Sequence, residues 1–537
     1  MRAVGLAGVL AGYAIAAAWL QPFQPAPFVD DWVYAWSVEN LLSTGRLEVL
    51  DFSSNLVYAQ TLWGALFCLP FGFSFAALRV STWVLSLVAL VGVHRLLADN
   101  GASPGAATLG AATLATYPPF AMLSFSFMTD VPLLALEVWT LVYLQRAWQR
   151  SSTIKLWIGT ALAVIASAIR TVGLVPALAA SAALLFDRPQ WGRARGRFLI
   201  PLSAVAAAAA LAWYQQDRIH EVANLTYTTN TPEPRLVALR EYGLMLLPAW
   251  LPLSIEFMAV GTGLALAPVA LAVGWPTGRQ RRHALAAGAA GVGLVIAGHF
   301  TGGLHNPVFS SEGSWVSDEL GAVVTLLPGW TPLVTDPVVI VALTLACWAS
   351  FCTIAASSVR AEVTAGSSPV HWWTLGGLVL MTALLWLTTD RYILPFVPPA
   401  LTLALGHGAR VSWARASVLL AAFALVGVIG VRDRLAAEEA VWTAVNDLRL
   451  RGVPVADIDA GYAVNGWLQY AHPNQAPVDS NGSVDVPFVN GDAELPWMVA
   501  VATLPGTEIV REYPFARTWR EPGSILVLRR AAASSAP

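Results

Sequence analysis

Apolar runs of about 20 residues, the length that crosses roughly 30 Å of hydrocarbon, recur along most of this 537-residue chain. In lipid no water meets the backbone, so each run must close its hydrogen bonds within itself as a helix. Only 12% of the residues are charged and 56% are hydrophobic, against roughly a quarter charged in soluble domains. A soluble globule of this size could not cover its surface with so few polar groups. The net charge of −2 supplies no general basic field for nucleic acid.

Candidate spans fall near residues 3–20, 76–97, 105–121, 131–147, 155–170, 172–187, 198–214, 257–275, 284–301, 334–354, 371–388, 391–408 and 414–431. That gives about thirteen, several of them interrupted by Pro or Gly. The first run, behind Arg2, has the look of a signal peptide; with so many spans following, it reads as a retained first helix. Glu137 falls inside a span and is expected to face the bundle interior.

The arginines set the orientation. Arg146, Arg150 and Lys155 share one connection, and Arg188, Arg193, Arg195 and Arg197 share another. Arg279, Arg281, Arg282 and His283 form a third, and Arg410 with Arg415 a fourth. A cytoplasmic N-terminus puts all four connections in the cytoplasm, as the positive-inside bias requires. An odd number of spans then leaves the C-terminus outside. The expected outer segments are 21–75, 122–130, 215–256 and 302–333, loops of the kind that carry function on a rigid scaffold.

Near residue 433 the composition changes. Ala437, Val441, Val445 and Leu448 recur at helical spacing within 435–451. Runs of strand character follow at 453–458, 497–503, 507–512 and 524–529. The fold class is therefore a polytopic α-helical membrane protein, residues 1–432, carrying a small extracytoplasmic α/β domain at 433–537.

The chemistry gathers on the outer segments. Asp30 and Asp31 stand side by side a few residues beyond the first span. A carboxylate in a partly desolvated cleft gains proton affinity and suits a general base. The plainer reading makes Asp30 an N-cap of the following helix. Asp130 starts the span after Thr129, with Pro132 in its first turn, and again has a capping role as its plainer reading. Arg170 and Arg391 lie at outer helix boundaries, against the positive-inside bias. Each can snorkel or pair with a carboxylate; each also suits a phosphate. Together the three acids and two arginines describe a site that binds an anion and moves a proton.

The order of these pieces resembles the membrane-embedded C-type glycosyltransferases, in particular the bacterial branch similar to protein O-mannosyltransferases and the lipid A aminoarabinose transferase. The likeness is carried by Asp30, Asp31, Tyr34, Ala35, Asn40, Leu41, Leu42 and Gly45, then Thr129-Asp130-x-Pro132. It continues in Arg170-Thr171-x-Gly173-Leu174, Arg391-Tyr392-x-Leu394-Pro395 and Ile458-Asp459-Ala460-Gly461-Tyr462-x-x-Asn465-Gly466-Trp467. Asp31 stands where many relatives carry Glu. The resemblance implies a bacterial inner-membrane enzyme whose donor is a sugar on a polyprenyl phosphate. Transfer would go with inversion to an extracytoplasmic glycan, lipid or protein. Asp30 would take the acceptor proton, and Asp31 and Asp130 would place the acceptor or a divalent cation. Arg391, Arg170 and Tyr392 would hold the lipid phosphate, with Tyr34 and Asn40 as acceptor or loop contacts.

No phosphate-binding Gly-Lys loop or dinucleotide fingerprint is present, so no nucleotide cofactor is expected. Cys68, Cys347 and Cys352 lie in apolar runs and read as small buried hydrophobes. His220, Glu221, His305, Asp318 and Glu319 match no metal-ligand spacing and read as loop residues. The Asn224-Leu225-Thr226 and Asn481-Gly482-Ser483 triplets carry no weight. The competing function is a transporter or flippase for a lipid-linked sugar. Transporters show related halves and mid-membrane charges; here no halves repeat and the charges gather at one face.

Overall fold

The computed structural model describes residues 2–50, 52–53, 55–186, 195–216, 247–276, most of 281–293, 336–364, 369–384, 389–406, 408–472, 495–518 and 521–530. His220, Glu221, His305, Asp318, Glu319, both Asn-x-Thr/Ser triplets and most of the expected span at 284–301 lie outside the described residues.

Helix α1 (Arg2–Leu20) leads into α2 (Asp31–Thr44), α3 (Tyr58–Cys68) and α4 (Phe75–Asp99). Next come α5 (Pro104–Thr116), α6 (Pro118–Ser124), α7 (Asp130–Arg150), α8 (Thr153–Ser167), α9 (Val175–Phe186) and α10 (Leu199–Gln216). After them stand α11 (Leu247–Ala265), α12 (Ala267–Val273), α13 (Pro337–Thr364), α14 (Pro369–Leu384), α15 (Val397–Leu405) and α16 (Trp413–Leu450).

Local chemistry starts and breaks these helices. Ser103 Oγ accepts the Ala106 N–H at 3.2 Å and Pro104 opens α5, the capped, Pro-first start that leaves fewest orphan donors. The run expected at 105–121 splits at Tyr117, whose backbone is extended ahead of Pro118, because proline cannot continue the i→i−4 ladder. The run at 257–275 bends by 66° between α11 and α12, with Pro268 just past the break.

Among the described residues, α4, residues 341–358 of α13 and α16 are each long and apolar enough to cross a membrane, and the bent α11–α12 pair makes a fourth. Shorter apolar helices lie at Gly5–Leu20, Thr153–Ser167, Thr171–Phe186 and Gly196–Leu211. The chain is thus a helical membrane protein, while the count of thirteen spans remains an expectation. Helix α7 packs against α4 and α8, and Glu137 is buried within it, where a bundle-facing acid belongs.

Helix α16 runs through the expected boundary at 432/433. The last span and the amphipathic helix are one element of 38 residues, roughly 57 Å at 1.5 Å per residue. Its second half buries Ala437, Val441, Val445 and Leu448 against a four-stranded sheet. The sheet comprises β1 (Ile458–Asp459), β2 (Trp497–Ala500), β3 (Thr507–Phe515) and β4 (Gly523–Arg530), in the order β1-β2-β4-β3. Pairing is parallel for β1 with β2 and antiparallel elsewhere. Ile525 and Val527 of β4 face α16, while Leu526 and Leu528 pack on the opposite side, the period of two that a strand imposes. The strand expected at 453–458 shrinks to two residues, since Val455–Asp457 forms a 3-10 turn after Pro454.

Candidate active site

Four chain breaks converge on the face that carries residues 21–75 and 122–130. The first is the entry to α2. Asp30 occupies its N-cap position, yet its side chain makes no capping bond; it turns instead to Arg391, whose two terminal nitrogens lie 3.3 and 3.4 Å from Oδ2. Val29, just before it, adopts φ 52°, a left-handed conformation costing a β-branched residue about 1–3 kcal/mol. Such strain persists only where neighbours over-determine the chain, and here they do. The Asp31 N–H donates to the Phe28 carbonyl at 3.0 Å. Arg434 stacks its guanidinium 5.0 Å from the Phe28 ring, and Trp442 Nε1 donates to the Pro27 carbonyl at 3.3 Å.

The second break is the entry to α7. Asp130 is its first residue and, like Asp30, it meets arginine rather than capping. Arg170 Nη1 lies 2.9 Å from Oδ1 and Arg391 Nη1 lies 3.9 Å from Oδ2. The third break, after α8, leaves Arg170 extended at φ −146° and ψ 141° before the 3-10 turn Thr171–Leu174. Gly173 permits that turn: a Cβ there would fall 2.6 Å from the Ala166 carbonyl carbon and 2.8 Å from the Ser167 nitrogen. Backbone cannot yield to it, so any side chain would push the turn off the end of α8 and displace Arg170. The fourth break, after α14, places Arg391 in the 3-10 turn Asp390–Phe396.

Tyr392 stacks under both arginines, with Arg170 4.9 Å and Arg391 5.6 Å from its ring centroid, a cation–π arrangement that braces two like charges side by side. Tyr34, one turn beyond Asp30 on α2, feels Asp30, Arg391, Arg170 and Asp130 electrostatically, and burial is the main cause that pushes its hydroxyl above the ordinary range. Asp30, Asp130, Arg170 and Arg391 form a formally neutral cluster. Asp130 is almost wholly buried, while Asp30, Arg170 and Arg391 keep 16–19% of their side-chain surface exposed. The cluster therefore leaves a carboxylate and two guanidinium groups partly exposed, the parts needed to accept a proton and hold an oxyanion.

Asp31 does not join it. Its side chain is fully buried, with Oδ1 accepting the Phe127 N–H at 2.7 Å and Oδ2 3.7 Å from Arg79 Nε. Burial pushes its carboxyl up to about 7, against the opposing pull of Arg79 and the Phe127 N–H. Arg79, buried near the start of α4, also donates to the carbonyls of Pro22 at 3.1 Å and Ala26 at 2.7 Å. The pair thus ties the first loop to α4 and to the second loop. Arg79 is absent from the sequence reading, although an arginine within an apolar run of this length was itself a signal. Asn40 also stays outside the cluster: its amide donates to the Arg46 carbonyl at 3.3 Å and Glu48 Oε2 at 3.2 Å, closing the turn after α2.

The acids that the resemblance would give to a divalent cation are Asp31 and Asp130. Both face guanidinium groups, and among the described residues no group of three or more His, Cys, Asp or Glu side chains converges. A dication beside Arg170 and Arg391 would meet like charge. This donor set does not fit one.

The C-terminal domain closes over the same face. Tyr462 packs on Trp32 at 5.7 Å between ring centroids, and Tyr470 does so at 5.8 Å. His472 Nε2 lies 3.1 Å from Glu39 Oε2 on α2. The hydrogen bond to Glu39 raises the His472 ring above its ordinary range.

No protein-family model and no curated protein sequence matches the chain. Among solved structures, ArnT of Cupriavidus metallidurans in the apo state is similar over 97% of this chain and 98% of its own, at 13% identity and a TM-score of 0.40. The same protein bound to undecaprenyl phosphate gives 12% identity and a TM-score of 0.41 over 98% of each chain. The archaeal oligosaccharyltransferase AglB of Archaeoglobus fulgidus, in complex with an inhibitory peptide and a dolichol-phosphate, gives 14% identity and a TM-score of 0.42 over 92% of this chain and 69% of its own. A likeness of this degree fixes neither fold detail nor activity.

Proposed function

We propose that the chain is an inverting glycosyltransferase that moves a sugar from a polyprenyl-phosphate carrier to an acceptor hydroxyl. The observation that carries this reading is the double contact of Arg391, at 3.3 Å from Asp30 and 3.9 Å from Asp130. It sets a partly buried carboxylate beside paired cations at the edge of a membrane bundle. The sequence resemblance, drawn from the same residues, points the same way.

In this reading Asp30 accepts the acceptor hydroxyl proton while that oxygen attacks the anomeric carbon. The bond from that carbon to the phosphate oxygen breaks, and the carrier phosphate leaves with the electron pair. Arg391 and Arg170, braced on Tyr392, neutralise the charge growing on it, the role that fixed donors fill best when aimed before the reaction. Asp130 holds the two arginines at their spacing, and Tyr34 lines the acceptor side. Asp31 acts through Arg79 by fixing the first loop. No step passes through a cation. The carrier chain lies along the apolar bundle. The chain belongs in a bacterial inner membrane, with the N-terminus cytoplasmic and the C-terminal domain outside.

The test is sugar transfer in proteoliposomes supplied with a panel of radiolabelled undecaprenyl-phosphate sugars and candidate acceptors. Transfer by wild type, collapsing in Asp30→Asn and Arg391→Ala at equal expression, is the expected result. Protein-dependent movement of the labelled lipid between leaflets without any turnover would replace the enzyme with a flippase.

A further inference from the structure

The segment from Ile458 to Tyr470 is built to present one side chain. Asp459 Oδ1 accepts the Gly461 N–H at 3.2 Å and the Asn465 amide at 2.8 Å, and Asn465 Oδ1 accepts the Ala460 N–H at 2.9 Å. Gly461 turns the chain at φ 81° and ψ 177°, a conformation open to glycine and few others. Gln469 ties the far end back to the carbonyls of Val455 and Ile458 at 3.0 and 2.7 Å. At Gly466 the backbone meets the Trp32 ring so closely that a Cβ would fall 2.2 Å from it. Trp32 is two residues beyond Asp30. The turn so fixed directs Tyr462 onto Trp32, and its hydroxyl feels the Asp30 carboxylate electrostatically.

We propose that Tyr462, supplied by the C-terminal domain, is a positioning residue for Asp30: its hydroxyl and the Arg391 guanidinium together fix the carboxylate against the acceptor. The domain thereby completes the membrane site. Burial first, and Asp30 next, hold the Tyr462 hydroxyl well above the ordinary phenol range, so it stays protonated and remains a donor. The inference rests on the transferase reading, in which Asp30 is the base.

The experiment compares wild type, Tyr462→Phe and Tyr470→Phe in the proteoliposome assay. Both variants keep an aromatic ring in the same cluster, so folding is not at issue between them. Tyr462→Phe is expected to lower kcat about tenfold, or about 1.4 kcal/mol in the barrier, with the KM for donor within about twofold. Its pH–rate profile should shift its acid limb to higher pH, because a hydroxyl donating to a carboxylate favours the charged form. Tyr470→Phe should behave as wild type. A Tyr462→Phe enzyme matching Tyr470→Phe in rate and profile overturns the inference and leaves the transferase reading standing. A double-mutant cycle on thermal unfolding with Asp30→Asn and Tyr462→Phe reads the contact without any activity. Non-additive shifts support the contact, and additive shifts overturn it. Absence of turnover in wild type overturns the transferase reading instead.

Discussion

Asp30 and Asp31 are adjacent in the chain and bound to different arginines, Asp30 to Arg391 at 3.3 Å and Asp31 to Arg79 at 3.7 Å. One carboxylate keeps part of its surface exposed and the other is fully buried. Successive residues at a helix start point about 100° apart, so a single pair of acids serves both the site and the frame that holds it.

Arg391 cannot be replaced by lysine. Its fork reaches two carboxylates and its plane stacks on Tyr392, whereas an ammonium is a single point of charge. Arg391→Lys should lose at least about tenfold in kcat/KM, about 1.4 kcal/mol, and Arg170→Lys should lose less, since among the described residues Arg170 makes its close ion pair with Asp130 alone. Steady-state transfer kinetics at equal expression check both.

Arg79→Met should destabilise the protein by about 3–5 kcal/mol at pH 8, because it leaves the Asp31 charge buried without its partner. The cost should shrink at pH 5, where Asp31 can protonate instead. Thermal unfolding in detergent at the two pH values reads the difference; equal losses at both would show that Arg79 stabilises by packing alone.

Stability should fall as pH rises. The Asp31 carboxyl sits near 7 when folded and at 3.8 as the reference acid, so between these values the folded state binds the extra proton. Its contribution is complete below about 4 and is lost as pH climbs through about 7. The raised His472 ring acts in the same direction: its link to Glu39 is strongest below the ordinary histidine range and fades as pH passes the raised value. Both partners of that link are about one-third exposed, so solvent screening limits it to under about 1 kcal/mol. Asp31→Asn should flatten most of the slope between pH 5 and 8 in unfolding scans, and His472→Gln should remove only a small part.

Gly466→Ala should cost about 1–3 kcal/mol, the usual penalty for forcing an atom into a filled contact, because its Cβ would meet the Trp32 ring. Gly72→Ala would meet no neighbour within 4 Å and is strained only by its φ of 83°, so it serves as the control for backbone strain alone. Unfolding temperatures of the two variants separate the effects.

Much of this architecture was legible in the residues. Apolar runs with Pro and Gly interruptions gave the helices and even their breaks, since a proline cannot donate to a helix wherever it falls. Ala437, Val441, Val445 and Leu448 marked a helix face, and that face lies on the sheet. Four short acidic and basic boundary motifs pointed to one face of the bundle. Capping was the plausible local role for Asp30 and Asp130, yet Asp30 makes no capping bond and Asp130 stands one residue past the N-cap Thr129, and both carboxylates meet arginine instead: guanidinium groups from distant turns bind carboxylates more strongly than backbone amides do.

What the sequence determined by itself is the solvent of the chain and the class of its elements, because hydropathy and local backbone chemistry act over neighbours along the chain. Which charges meet was decided by tertiary structure alone. Arg391 reaches Asp30 across 361 residues, Arg79 takes Asp31 from within a helix, and Tyr462 arrives from another domain. Local spacing carries no record of such meetings, because they depend on how packed helices bring the ends of their breaks together.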